Sequence, residues 1–363
     1  MKICVYGGLF GSEGKGCVAE WLAQSSEHRS KGKKLIVFGE NSPNSGHTCS
    51  AGKTQNIPAS SYFADGVILG PDAIIDPDVL LADLERVNTW RGKNGKPEVE
   101  VYLHEHCGVL LEEDKLEEAA VVARVSSTGS GSGAARVAKA FHRLPFRAVG
   151  HNHEVMSRLV KHKVRFLNRY QWFTFLQSVK ADDWLFECSQ GSLLDTNWGY
   201  FPHVTARTTL PRTAIDRNGL SGFNWQYAGV YRTFPIRTGG PSGPCGGEEI
   251  KWEEIGAEPE IASVTKRVRR VFEPSSDDFF LSIQLTLPQM VFFTHVDYLR
   301  SGLDFAVIGK TPTGSVLCDD VAIELFLEYV DEWVLDMSIH PTSQLWISHK
   351  PSQFVYVPLA SLR

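Results

Sequence analysis

The sequence is short of several things, and each shortage closes a class of function. Basic residues are outnumbered, with 37 Lys and Arg against 42 Asp and Glu, for a formal net charge of -5. Such a balance does not suit a protein that coats nucleic acid, although a local basic patch for phosphate stays open. The 7 cysteines are scattered, odd in number and without a CxxC pair. That excludes a disulfide framework or zinc module and reads as reduced thiols in a cytosolic protein. No apolar run reaches the length that spans a bilayer. Met1-Lys2 leads at once into a strand-like run, without the apolar core and cleavage site of a signal peptide. Internal repeats and long low-complexity linkers are also missing.

What is present is a set of apolar, β-rich runs: 2–6, 34–38, 67–69, 99–103, 184–188, 227–231 and 289–293. Several are near-continuous in hydrophobicity, as in strands buried on both faces. Helical patterns lie between some of them, at 15–25, 77–89, 112–125 and 170–179, and Asp76 with Pro77 makes a helix start. The alternation predicts an α/β fold with a mostly parallel central β-sheet flanked by helices. Ligands bind such sheets at the carboxyl ends of the strands, so the loops after strands carry the information.

The first loop, GLFGSEGKG, follows a strand and opens a helix, which aims backbone N–H groups and Lys15 at phosphate. It is not a Walker A loop, because Gly16 stands where a magnesium-binding Ser or Thr would follow the lysine. The second, GENSPNSGHT, offers Asn44 to a phosphate, Gly46 for close backbone approach and His47 for acid–base work. The third, SSTGSGSGAAR, leads hydroxyls and glycines into an Ala-rich helix, an anion nest. The fourth, in 186–205, places Gln190 after a buried-looking strand, with Leu193 and Leu194 apolar enough to wall a base pocket. The fifth, SVTKRVRR, gathers Thr265, Lys266, Arg267, Arg269 and Arg270. It suits bidentate recognition of a small carboxylate or phosphate, with nucleic acid as the other reading. The sixth, FFTHVDYL, puts Asp297 after a strand, where a carboxylate accepts from a purine base, with His295 two positions earlier. The pairs His104/His106 and His151/His153 could bind metal, but they lie outside these loops and no acidic triad accompanies either. The Gly- and Pro-rich stretch at 237–247 reads as a surface loop.

In this order the motifs GSEGKG, NSGHT, STGSGSG, QGSLLDTNWGYFPHVT, VTKRVRR and THVD resemble the adenylosuccinate synthetase family from about residue 2 to about residue 351. The resemblance implies a single catalytic domain over 1–363 with a P-loop-type fold. It also implies a C–N bond-forming ligase, in which a 6-oxopurine nucleotide is phosphorylated on its 6-oxygen and aspartate then displaces phosphate. By the family's pattern, Gly11, Glu13, Gly14, Lys15, Gly16, Gly46, His47, Thr48 and Asp297 hold the triphosphate. Ser12, Asn44, Ser127, Thr128, Gly129, Gln190, Leu194 and Thr205 meet the purine nucleotide. Val264, Thr265, Arg267 and Arg269 bind aspartate, and Gly46 and Ser12 fall at the magnesium position. Ser12, Lys15, His47 and Gln190 occupy the catalytic places. A cation from a partner subunit, Lys139 or Arg143 here, reaches the nucleotide phosphate, which implies a homodimer.

Two departures refine this. The family's loop reads GDEGKG, whereas this chain has Ser12 in place of the Asp that acts on purine N1. A hydroxyl of ordinary pKa is not that base, but it leaves room for the 2-amino group of a guanine. The same change marks a phage-associated branch, the 2-aminoadenylosuccinate synthases, which act on dGMP and feed the 2-aminoadenine of phage DNA. His295 and SHKP at 348–351 replace features of the family's GTP site, which points to ATP or dATP. The expectation is a cytoplasmic enzyme, in the host if phage-encoded, using dGMP, aspartate, an ATP-class donor and Mg2+, with no nucleic-acid or membrane partner. The alternative is ordinary adenylosuccinate synthesis from IMP, aspartate and GTP.

Overall fold

The computed structural model describes residues 1–25, 28–262, 265–295 and 298, together with the strands 307–310, 316–318, 344–350 and 353–357. Its central sheet is built on the strand Lys2–Gly7, paired in parallel with Asp183–Gly191 on one side and Gln226–Arg232 on the other. Outward from Asp183–Gly191 come Leu35–Gly39, Gly66–Leu69, Glu100–His104 and Val164–Leu167, all parallel. Outward from Gln226–Arg232 come Met290–Thr294 and Gln344–Lys350, also parallel. An antiparallel partner, Gln353–Val357, then begins the far edge. This is the mostly parallel α/β sheet that the sequence predicts.

The pleat explains the two cores. Ile3 and Val5 face one side with Val18, Leu22, Val37 and Val67, so the helix Lys15–Gln24 packs there. Cys4 and Tyr6 face the other side with Phe38, Trp172, Trp184, Phe186 and Trp225, beneath the helix Arg169–Ser178. Each such apolar side chain contributes about 1.5–3 kcal/mol on burial, which is why the central strands are hydrophobic on both faces. The helix Pro77–Lys93 starts as its sequence implies, with the Asp76 carboxylate accepting from Asp78 N at 3.0 Å and Val79 N at 3.4 Å. The strand Val164–Leu167 and the helix Ser276–Thr286 were not legible in the pattern. The first is a half-exposed edge strand carrying an arginine, and the second, SDDFFLSIQLT, has a strand-like run of apolar residues.

Because the strands before residues 8, 40, 192, 233 and 295 are neighbours in one sheet, their following loops converge at one sheet edge. The stretch 237–247 is not the surface loop its composition suggests. Ile236–Arg237 pairs with Arg270–Phe272 in a small antiparallel sheet that also holds Glu249–Ile250, and Arg237, Ser242 and Cys245 are buried. Among the described residues no helix is long and apolar enough to cross a membrane.

Packing also explains the residue after Lys15. A Cβ on Gly16 would lie 2.2 Å from the carbonyl oxygen of Thr48, so the helix seats on the His47–Cys49 strand only through glycine. Restoring a Walker-type hydroxyl with Gly16→Ser is expected to lower stability by about 1–3 kcal/mol through overpacking. A thermal melt of the variant checks this, and an unchanged midpoint would contradict it.

Candidate functional site

The loop between Gly7 and Lys15 is shaped from inside by Glu13, which is fully buried. Its Oε1 accepts from Leu9 N at 3.2 Å and Gly11 N at 2.6 Å, and its Oε2 from Lys15 Nζ at 3.0 Å. Gly14, in the left-handed region at φ 80°, starts the helix without any side-chain cap, so a ligand can use that helix terminus. Ser12 points the other way. It is exposed, at φ 60°, and its carbonyl accepts from Arg232 at 3.1 Å. The loop thus buries its carboxylate and shows a neutral hydroxyl.

His47 is buried against Glu187, with Nδ1 2.5 Å from Oε1. Glu187 also accepts from Ala59 N at 3.2 Å, Ser60 N at 3.2 Å and Ser60 Oγ at 2.9 Å. Burial opposes its charge, but His47 and these donors together hold its pKa below the ordinary value. The contact places the imidazole proton on Nδ1 and leaves Nε2 for a ligand. Glu187 was not singled out from the sequence. Its one signal there is an acid inside an otherwise apolar strand, WLFECS.

Beside these loops lies a cavity of about 370 Å³. Of the residues expected to meet the purine nucleotide, Asn44, Ser127, Thr128, Gln190, Leu194 and Thr205 line it together, although they come from three separate loops. Gln190, itself at φ 65°, donates from Nε2 to Thr205 Oγ1 at 3.1 Å. Asn44 N donates to Ser132 Oγ at 3.2 Å, and hydroxyls run on from Ser132 to Ser130 and Thr128 at 3.1 Å each. Ser127 donates to Glu118, whose other oxygen is buried without a partner. Leu193 turns into the core instead of walling the cavity. Gly129 and Ser12 are not part of the lining.

A buried ionic network ties the cavity's walls together. Arg207 reaches Glu40 at 2.5 Å and Asp72 at 3.2 Å, and Asp72 also accepts from Arg136 at 2.7 Å. Burial pushes Glu40 up to about 6 despite Arg207 beside it. Glu40 lies close to Asn44 in the chain, Arg207 close to Thr205, and Arg136 belongs to the helix Ser132–His142.

The basic loop is only partly open. Arg269 donates to Glu260 at 2.7 Å, and Glu260 also accepts from Arg232 at 2.5 Å and Tyr298 at 3.0 Å. Burial opposes the Glu260 charge, yet Arg232 and its neighbours lower it to about 2. Arg267 is exposed and makes a long contact to the Gly239 carbonyl at 3.5 Å, while Thr265 Oγ1 is buried without a hydrogen-bond partner. Burial and Arg232 hold His295 neutral, at about 3. Val264 and Asp297 lie outside the described residues. Lys139 is spent on the carbonyls of Pro71 and His106 in its own chain, whereas Arg143 is exposed just past the end of the helix Ser132–His142. Among the described residues no three His, Cys, Asp or Glu side chains gather as a metal site; His104 meets His106 and Trp172 edge-on, and His106 stacks on His151.

Glu187 orients His47 through a hydrogen bond that a neutral amide cannot make as strongly. Glu187→Gln is therefore expected to lower turnover about 100-fold with nucleotide KM nearly unchanged. Steady-state kinetics checks it, and an unaltered turnover would remove His47 from the chemistry.

A profile of the adenylosuccinate synthetase family matches residues 161–301. The N6-succino-2-amino-2'-deoxyadenylate synthase of Vibrio phage phiVC8 is 30% identical over 307 residues, covering 80% of this chain and 84% of its own. The enzyme of the same name from Salmonella phage PMBT28 is 29% identical, covering 83% and 86%. Among solved structures, the cyanophage S-2L succinoaminodeoxyadenylate synthetase, bound to dGMP and dATP as an energy donor, superposes with a TM-score of 0.75. It is 24% identical over 100% of this chain and 98% of that one. Adenylosuccinate synthetase from Plasmodium falciparum superposes at 0.71, with 16% identity over 98% and 99%. The converging loops, the retained motifs and these similarities together establish that the chain belongs to the adenylosuccinate synthetase family, within its phage N6-succino-2-amino-2'-deoxyadenylate synthase branch.

Proposed function

We propose that the protein joins aspartate to C6 of dGMP, driven by an ATP-class triphosphate, to give 2-amino-N6-succinyl-dAMP. In the first step N1 gives up its proton as the 6-oxygen of the base takes the γ-phosphoryl group and the nucleoside diphosphate leaves. In the second the aspartate amine attacks C6 and gives up a proton, the C6–O bond breaks, and phosphate leaves carrying the 6-oxygen. The observation that carries this choice of purine is Ser12. It stands exposed at the crest of an otherwise retained loop, where a carboxylate would crowd a 2-amino group. The phage relatives named for the same product, and the related cyanophage enzyme with dGMP and dATP, support it.

In this reading Lys15 and the loop amides hold the triphosphate, His47 faces the transferred phosphoryl group through Nε2, and the Gln190 amide polarises the 6-oxygen. Asn44, Ser127, Thr128, Gly129 and Thr205 receive the nucleotide, Leu194 walls its base, and Thr265, Arg267 and Arg269 take aspartate. Magnesium fits beside the Gly46 carbonyl and the Ser12 hydroxyl, both exposed oxygen donors, because the ion prefers oxygen ligands and draws the rest from phosphates. Glu13 is already committed to Leu9, Gly11 and Lys15 and is not a candidate ligand. When bound, the metal neutralises charge on the transferring phosphate.

We further read the enzyme as a homodimer. Val137, Phe141, Leu144 and Phe146 are 54%, 78%, 44% and 43% exposed around Arg143, an apolar face that suits a second copy. With Lys139 tied to its own carbonyls, Arg143 is the better candidate to cross. Sedimentation is expected to give twice the chain mass, and a monomer at working concentration would overturn the reading.

The test of function is phosphate release with dGMP or IMP, each with aspartate and ATP. Turnover of dGMP is expected, and turnover of IMP alone would shift the assignment to ordinary adenylosuccinate synthesis. Ser12→Asp is expected to reduce dGMP turnover by about tenfold or more, through steric crowding of the 2-amino group. Unchanged dGMP turnover in that variant would remove Ser12 from base selection.

A further inference from the structure

The cavity presents an imbalance of charge. Its lining contains two carboxylates, Glu117 and Glu118, but only one Lys or Arg, and that is Arg237. A phosphate monoester entering this space finds no other fixed cation from the same subunit in the wall. Arg237 is only 4% exposed. Its Nε donates to the Ser242 carbonyl at 2.8 Å, and its NH2 donates to the carbonyls of Ser242 and His203, the latter at 2.8 Å. The guanidinium lies over the Phe10 ring, 4.9 Å from its centroid. None of the ion pairs among the described residues includes it, and NH1 is buried without a hydrogen-bond partner.

A buried guanidinium held by carbonyls alone is expensive, and the usual remedy is a paired anion. Its position says which anion. The bond to the His203 carbonyl fixes it close to Thr205, the residue that takes the Gln190 amide. On the other side, Gly240 of the same turn packs so close to Ser126 that an added Cβ would lie 2.6 Å from the Ser126 hydroxyl. That hydroxyl is itself buried and unpaired, and it lines the cavity. Arg237 is thus fastened between Thr205 and the hydroxyls at 126–128, two places that the proposed function gives to the nucleotide, the second of them the anion nest read from the sequence.

We propose that Arg237 is the subunit's own counter-charge for the 5'-phosphate of the purine nucleotide, with NH1 donating to a phosphate oxygen. The assignment rests on the reading of this cavity as the nucleotide site. The Phe10 ring and the two carbonyls fix the guanidinium before ligand arrives, so little side-chain freedom is lost on binding.

The experiment compares a nucleotide with its nucleoside. Binding of dGMP and of deoxyguanosine to the full-length enzyme is measured by calorimetry for wild type, Arg237→Gln and Arg237→Lys. The expectation is that Arg237→Gln weakens dGMP about 10- to 100-fold, as for a lost charge-assisted contact, and leaves deoxyguanosine within about twofold. Arg237→Lys is expected to fall between. Equal losses for dGMP and deoxyguanosine would make Arg237 a support of the 238–242 turn and overturn the proposal. If the Gln variant does not fold, the Lys variant decides alone: a loss confined to dGMP sustains the proposal, and a shared or absent loss ends it. Should wild type bind IMP and not dGMP, the substrate reading falls, and the same comparison is made with IMP and inosine.

Discussion

The carboxylate of Glu13 is the interaction on which the rest of the site depends. It is buried at the end of the first strand, gathers two backbone amides and the Lys15 ammonium, and so fixes the path of the loop from Leu9 to Lys15. Gly191 exists as glycine for the same reason: a Cβ there would meet the Leu9 carbonyl at 2.3 Å, Gly11 N at 2.5 Å and Glu13 itself at 2.7 Å. The first and fourth loops are therefore locked against one another through one buried acid. A buried charge left without its partners costs about 3–5 kcal/mol, so the loop has few alternatives to this course. With Glu13 inside, Ser12 must face outward.

The same logic recurs along the sheet edge. Other groups there are held by acids bonded within the protein, Glu187 and Glu40 buried, Glu260 and Asp72 largely so: Glu187 behind His47, Glu260 behind Arg269 and Arg232, and Asp72 with Glu40 around Arg207. These acids set the stance of the groups in front of them, and their own charges are satisfied inside the protein. The division leaves a loop tip such as residue 12 free to change its side chain without disturbing the frame. The proposed choice between purines would be such a change at a tip.

Much of this was legible in the chain. The central strands announce themselves because both their faces are buried, and the loops carry short motifs whose residues act locally. The supporting acids do not announce themselves. His47 and Glu187 are 140 residues apart, and Arg207 and Glu40 are 167 apart, so nothing in either neighbourhood predicts the pairing. Arg237 was hidden for another reason. It opens a Gly- and Pro-rich stretch that reads as surface, and only pairing with the strand Arg270–Phe272 draws it inward. The edge strand Val164–Leu167 was missed because its exposed arginine breaks the apolar run.

The hydrogen bond from Ser127 to Glu118 carries a consequence for affinity. The Ser127 hydroxyl of the nest is already given to Glu118, so under the proposed function a phosphate reaching it would have to take that hydrogen bond from the glutamate. The affinity measured would then be a difference between two acceptors of the same hydroxyl, and a weak acceptor would gain little from reaching it.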